Sequence, residues 1–138
     1  MFKDEFTLNV IPATKKNHGE IIHARNGAHI MLPSKAYRRF EKECLDIIED
    51  KHRVEIDFPI NAQCIFYMPT RRIVDLTNLL NAIMDTLVKA RVLKDDNSRI
   101  VQSHDGSRVM YDKENPRIEI LLEERKDNVS SNWMQKCY

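Results

Sequence analysis

Between Leu76 and Ala90 the chain carries its best helical pattern. Leu76, Leu79, Leu80, Ile83 and Leu87 line one face, and Asn78, Asn81, Asp85 and Lys89 line the opposite one. A one-sided helix of this kind needs an apolar surface to lie on. The rest of the chain offers one. Phe6, Leu8 and Val10 alternate with polar neighbours, a strand that ends near Pro12. Ile21-Ile22 and the run from His29 to Leu32 flank Asn26-Gly27, a hairpin turn pair. Pro33-Ser34 opens another helix, with Ser34 as N-cap and Tyr37, Phe40, Cys44 and Ile48 as its apolar stripe. Residues 53–69 have strand character, strongest from Ala62 to Met68. Ile100 to Ser103, Arg108 to Tyr111 and Ile118 to Leu122 read as three more strands, with Asp105-Gly106 turning between the first two. This order predicts an α/β (α+β) fold, a small mixed sheet with two main helices packed on it. A length of 138 residues suits one domain, placed at 1–122, with 123–138 as a polar tail in which Trp133 and Tyr138 find no place.

Several function classes are excluded early. Hydrophobic residues make up 42% and charged residues 31%, too apolar for a disordered chain. No apolar run is long enough to span a bilayer, and MFKDEFTLNV has acids where a signal peptide needs a basic start. Cys44, Cys64 and Cys137 are odd in number and lack Cys-x-x-Cys spacing, so a reduced, cytoplasmic protein without a zinc site is expected. Cys44 and Cys64 fall on apolar faces as core residues. With three glycines there is no phosphate-binding glycine loop. His18, His23 and His29 are not at zinc spacing; they are loop and hairpin residues, one of which could touch nucleic acid.

Net charge is +1, but its distribution is uneven. From Thr14 to Lys42 seven cations (Lys15, Lys16, Arg25, Lys35, Arg38, Arg39, Lys42) stand against Glu20 and Glu41. That block could hold a polyanion or be a solvated surface. In the first helix Lys35, Arg38, Arg39 and Lys42 occupy the first half, and Asp46, Glu49 and Asp50 follow toward its end. Both ends run against the helix dipole, by roughly 0.3–1 kcal/mol per charge, which is easier to understand if the cations serve a ligand.

The acidic residues of the second half pose the functional question. Arg71 and Arg72 lead into Asp75, Thr77 and Asn78 at the head of the best helix, and Lys94-Asp95-Asp96-Asn97 follows its end. Asp75 and Asp96 could share a divalent ion, since magnesium takes one or two carboxylates together with phosphate oxygens. Equally, Asp75 is a good N-cap and Asp95-Asp96-Asn97-Ser98 a solvated turn.

From Met68 to Ile100 the chain, MPTRRIVDLTNLLNAIMDTLVKARVLKDDNSRI, resembles the core of the RusA family of Holliday junction resolvases. That family's mark is a basic run, then Asp-x-Asp-Asn, then Asp-Ala-Leu or similar within the helix, then Asp-Asp after a hydrophobic turn. Pro12-Ala13-Thr14-Lys15-Lys16-Asn17 is similar to the family's Pro-x-x-x-x-Asn loop, and Pro33-Ser34-Lys35-Ala36-Tyr37 also fits. The likeness spans Phe6 to about Leu122. It implies a homodimeric, magnesium-dependent endonuclease (manganese as a substitute) that cuts four-way DNA junctions by paired symmetric nicks in recombination and repair. It also implies a cytoplasmic protein of phage or prophage type. Asp75 and Asp96 would bind the metal, Thr77 and Asp95 would assist, and Asn78 would orient the site. Lys15, Lys16, Asn17, Arg38, Arg39, Arg71 and Arg72 would grip phosphates. The alternative is a weakened relative that binds branched DNA without cutting it.

Three departures bear on that choice. Thr77 stands where the family has its second aspartate, and Asn81 where many members have lysine. Asp85 or Asp95 would be the residue to restore the negative charge, and Lys89 or Lys94 the positive. Arg91 stands at a helix end where glycine is common; in a left-handed cap it would cost roughly 1 kcal/mol. Geometry adds a constraint. A helix over 76–90 is about 22 Å long, so Asp75 and Asp96 meet only if residues 91–96 return along it or a second subunit supplies one carboxylate. The return within one chain is the preferred reading.

Overall fold

The computed structural model describes residues 1–15, 20–23, 25–32 and 34–125. Lys16, Asn17, His18 and Pro33 lie outside these residues, as does the chain beyond 125 with Trp133, Cys137 and Tyr138.

The sheet is built around β4 (Ile60–Met68), whose alternate residues Ile60, Ala62, Cys64 and Phe66 are wholly buried. On one side β4 pairs antiparallel with β7 (Arg117–Glu124), which in turn pairs antiparallel with β1 (Lys3–Leu8). The register sets Cys64 opposite Ile120 and Leu8 opposite Ile118, so the inward residues of three strands form one apolar face. That face joins one core with Tyr37, Phe40 and Cys44 of α1 (Lys35–Ile47) and Leu79, Ile83 and Leu87 of α2 (Leu76–Lys89). Burial pushes the Cys44 and Cys64 thiols up to about 12, as inert core residues. Ser34 caps α1, its Oγ accepting from the Tyr37 N–H at 3.2 Å. The hairpin β2 (Glu20–His23) and β3 (His29–Leu32) turns at Asn26-Gly27, with Gly27 at φ +82°.

Beyond β4 the sheet becomes mixed. β5 (Val101–Ser103) and β6 (Arg108–Tyr111) both run parallel to β4, and α2 is the crossover that parallel pairing requires. The chain therefore does not reverse at Asp105-Gly106. The residues between Ser103 and Arg108 bulge out of one interrupted edge strand instead. Asn61 holds that bulge: its Oδ1 accepts from the Asp105 N–H at 2.8 Å, and its Nδ2 donates to the Asp105 carbonyl at 3.1 Å. Gly106 sits at φ +86°, where a Cβ would come within 2.2 Å of the Gln63 Oε1.

The expected strand over 53–69 begins later than its sequence suggests. Asp50–His52 form a 3-10 turn, Glu55 adopts φ +49°, and Ile56 makes only an isolated bridge to Leu93 before β4 opens at Ile60. One left-handed residue, Glu55, breaks the extension expected from residue 53 onward.

Arg91 does end α2 in the left-handed region, at φ +63°. The Val92 N–H donates to the Leu87 carbonyl and the Arg91 N–H to the Val88 carbonyl, a Schellman closure. Arg91→Gly is expected to raise the unfolding free energy by about 0.5–1 kcal/mol, read from the urea midpoint. A lowered midpoint would mean that the arginine side chain contributes more than its backbone costs.

Candidate active site on the second helix

Asp75 sits at the N-cap of α2 in extended conformation. Its Oδ1 accepts from the Thr77 N–H at 3.0 Å and from the Thr77 hydroxyl at 2.5 Å. The cap that the sequence allowed is formed, and the Thr77 hydroxyl commits its proton to the carboxylate it follows. Both residues stay at the surface, Asp75 exposed at the mouth of the basic approach from Arg71 and Arg72.

Further along the helix, Asn78, Asn81, Ala82 and Asp85 line a polar cleft of about 290 Å³ together with Lys15. Spacings of three and four residues, 78 to 81 and 82 and then 81 and 82 to 85, keep these side chains on one stripe of α2. Lys15 arrives from the loop after β1 and pairs with Asp85, Nζ to Oδ2 at 2.5 Å, with the Tyr37 ring 5.5 Å from its nitrogen. After the Schellman turn the chain doubles back: Leu93 bridges to Ile56, the Lys94 N–H donates to the Ile56 carbonyl, and Val92 and Leu93 are buried. This return brings Asp96 under the influence of Asp85. Partial desolvation and then the Asp85 charge raise the Asp96 carboxyl above its ordinary value, although the residue is mostly exposed. Asp95 behaves oppositely. It accepts from the Asp96 N–H at 2.8 Å and from Asn97 Nδ2 at 3.0 Å, and these bonds hold its carboxyl below the usual range. Asp75 lies ten residues before Asp85, about 15 Å up the helix axis.

The Asp96 shift has a consequence for stability. A carboxyl whose folded value is raised stabilises the fold at acid pH, and that contribution is lost as pH rises through the folded value. Asp96→Asn, assayed without divalent metal, is therefore expected to be more stable than the wild type at pH 7. The difference should vanish below about pH 3.8, the ordinary carboxyl value. Denaturant midpoints at both pH values test this, and a variant destabilised at neutral pH would contradict it.

A family model described as endodeoxyribonuclease RusA matches residues 11–123, the whole span from the Lys15 loop to β7. The chain belongs to the RusA family of endodeoxyribonucleases. Comparison with curated proteins gives no match. The matched span takes in every residue of the cleft and, apart from β1 and the last residue of β7, the mixed sheet beneath it.

Of the two lysines considered in place of the family's lysine, Lys89 is already paired. Lys89 Nζ donates to both Glu41 oxygens, at 3.0 and 2.9 Å, and so ties α2 to α1. Lys15, from a loop 70 residues away in sequence, is the cation beside Asn78 and Asn81. No spacing rule could have found that pairing. In α1, Arg39 Nε pairs with Glu43 at 2.8 Å, so part of the unfavourable end charge is balanced within the helix. The α1 backbone N–H of Arg38 donates to Ser34. Arg71 lies over the Tyr111 ring, 4.2 Å from its centre, and Arg72 is exposed beside it. Among the described residues, no three His, Cys, Asp or Glu side chains gather as a metal cage, and no helix is long and apolar enough to cross a membrane.

Proposed function

We propose that this RusA-family chain is a magnesium-dependent, structure-selective endonuclease that resolves four-way DNA junctions by paired symmetric nicks. The observation that carries the reading is the return of residues 92–96 after α2, which brings Asp96 within the electrostatic reach of Asp85, itself in a cleft with a lysine and two carboxamides. Desolvation and the Asp85 charge raise the cost of ionising Asp96, and a divalent cation relieves it. The donor set fits magnesium, which needs only one or two carboxylates when phosphate oxygens complete its shell. In this reading Asp75 and Asp96 hold the ion, with Thr77 and Asp95 beside them and Asp85 farther along α2. Bound there, magnesium supplies the charge stabilisation that phosphodiester cleavage needs.

The remaining work falls to the chain itself. Lys15 neutralises Asp85 in the free protein and is placed to turn toward a phosphate, with Lys16 and Asn17 following it. Asn78 and Asn81 offer amide donors to phosphate oxygens and orient the strand along the helix. Arg38, Arg39, Arg71 and Arg72 seat the backbone on either side. Paired nicks need two equivalent sites, so a homodimer is part of the proposal.

One observation favours a second reading, a branched-DNA-binding relative that no longer cuts. The Thr77 hydroxyl is bonded to Asp75 where a second carboxylate would bring charge, and no cage of three acids forms among the described residues. Labelled four-way junction incubated with protein and magnesium, or manganese, separates the two. Ligatable nicks in opposite strands support the resolvase. Junction that is shifted but intact with both metals leaves only the binder, and junction bound no better than linear duplex overturns both.

A further inference from the structure

At the β6 edge of the sheet lies a second surface, apart from the cleft. A depression of about 370 Å³ is lined by Met68, Thr70, Arg71, Arg72, Met110 and Tyr111. Its centre is the stack of the Arg71 guanidinium on the Tyr111 ring at 4.2 Å, and the ring remains 40% exposed. A neighbouring stack shows what a purely structural pair looks like here. Arg117 lies 3.7 Å from the Tyr67 ring centre, but Asp112 and Glu119 both bind its guanidinium, at 2.9 and 3.0 Å. Among the described residues no carboxylate pairs with Arg71. Arg71 is exposed, four residues before Asp75. Met110, 43% exposed, adds apolar surface to the same depression.

We propose that Arg71, backed by Tyr111, is a stacking platform for one unpaired base of the DNA strand that enters the α2 cleft. A guanidinium plane takes a base on its free face while its charge meets the adjoining phosphate, and a ring behind it fixes the plane. Paired duplex bases present no face to such a platform, whereas a branch point or single strand does. The platform thus selects branched over linear DNA, and Tyr111 is a positioning residue. This rests on the reading that the chain acts on branched DNA.

The test uses the full chain with three probes: a four-way junction carrying 2-aminopurine at the crossover, a linear duplex, and a single-stranded oligonucleotide carrying 2-aminopurine. Arg71→Lys keeps the charge and removes the plane, Tyr111→Ala removes the backing, and Tyr111→Phe retains it. Arg71→Lys and Tyr111→Ala are expected to weaken junction and single-strand binding by about 5- to 100-fold, with loss of 2-aminopurine quenching. Duplex binding should hold, and Tyr111→Phe should match the wild type on all three. An equal loss on duplex, or Arg71→Lys behaving as wild type, would overturn the platform and leave Arg71 a simple phosphate contact. A dimer that Tyr111→Ala converts to monomer in sedimentation would overturn it too, because a second copy would then cover the face. The single-strand probe requires neither branching nor cleavage, so the platform can fail while resolution stands, and the reverse.

Discussion

Replacing Asp75 with asparagine is expected to lower junction cleavage by about 100-fold or more, beyond the 10- to 100-fold typical of residues that only support a metal's ligands. Junction binding and the melting temperature should stay near those of the wild type. The argument separates the residue's two roles. As a cap, Asp75 accepts the Thr77 N–H, and an asparagine side-chain oxygen does this equally well. As a carboxylate it carries a charge that asparagine lacks. Asp75→Ala is expected to lose activity as well, and in addition about 1 kcal/mol of stability with the cap. Cleavage that survives in Asp75→Asn would reduce Asp75 to a helix cap and move the chemistry to Asp85 and Asp96.

The largest effect on stability is expected at Arg53. Its Nη2 donates to the carbonyls of Leu45 at 2.7 Å and Ile48 at 3.0 Å, and its Nη1 to the Ala90 carbonyl at 3.3 Å. One guanidinium thus closes the C-terminal ends of both main helices, where unpaired carbonyls concentrate negative potential. Among the described residues neither helix has another basic cap at these carbonyls: α1 has no basic residue in its last turn, and Lys89 of α2 is committed to Glu41. Arg53 Nε, at 3.4 Å from Asp50 but outside hydrogen-bond geometry, is the part of the side chain left without a partner. Arg53→Ala should cost about 3–5 kcal/mol, since three charged hydrogen bonds go and half-buried carbonyls are left unsatisfied. Arg53→Lys should recover only a fraction, because an ammonium lacks the planar fork that spans two helix ends. Urea denaturation measures both, and a loss under about 1 kcal/mol would show that water replaces the guanidinium without penalty.

Much of this protein was legible one residue at a time. Both helices follow from apolar spacing and lie where the pattern put them, Lys35–Ile47 and Leu76–Lys89, each behind its expected side-chain cap. The hairpin at Asn26-Gly27 and the burial of Cys44 and Cys64 follow from local preferences as well, whereas the left-handed cap at Arg91 forms against them. The resemblance to the RusA family rests on motifs in order, and the family match over 11–123 agrees with it. Where local pattern misled, one backbone position was responsible: Glu55 delays β4, a break that no side chain announces.

Other features depend on distance in space. Asp105-Gly106 carries turn chemistry in either a hairpin or a bulge, and only pairing of β5 and β6 to the same flank of β4 decides for the bulge. Lys15 meets Asp85, Arg53 meets Ala90 and Arg71 meets Tyr111 across 70, 37 and 40 positions of chain. Periodicity records which face a residue occupies, because side chains repeat with the backbone that carries them. It holds no record of which other face that surface will meet; the joint burial of the sheet and both helices settles it.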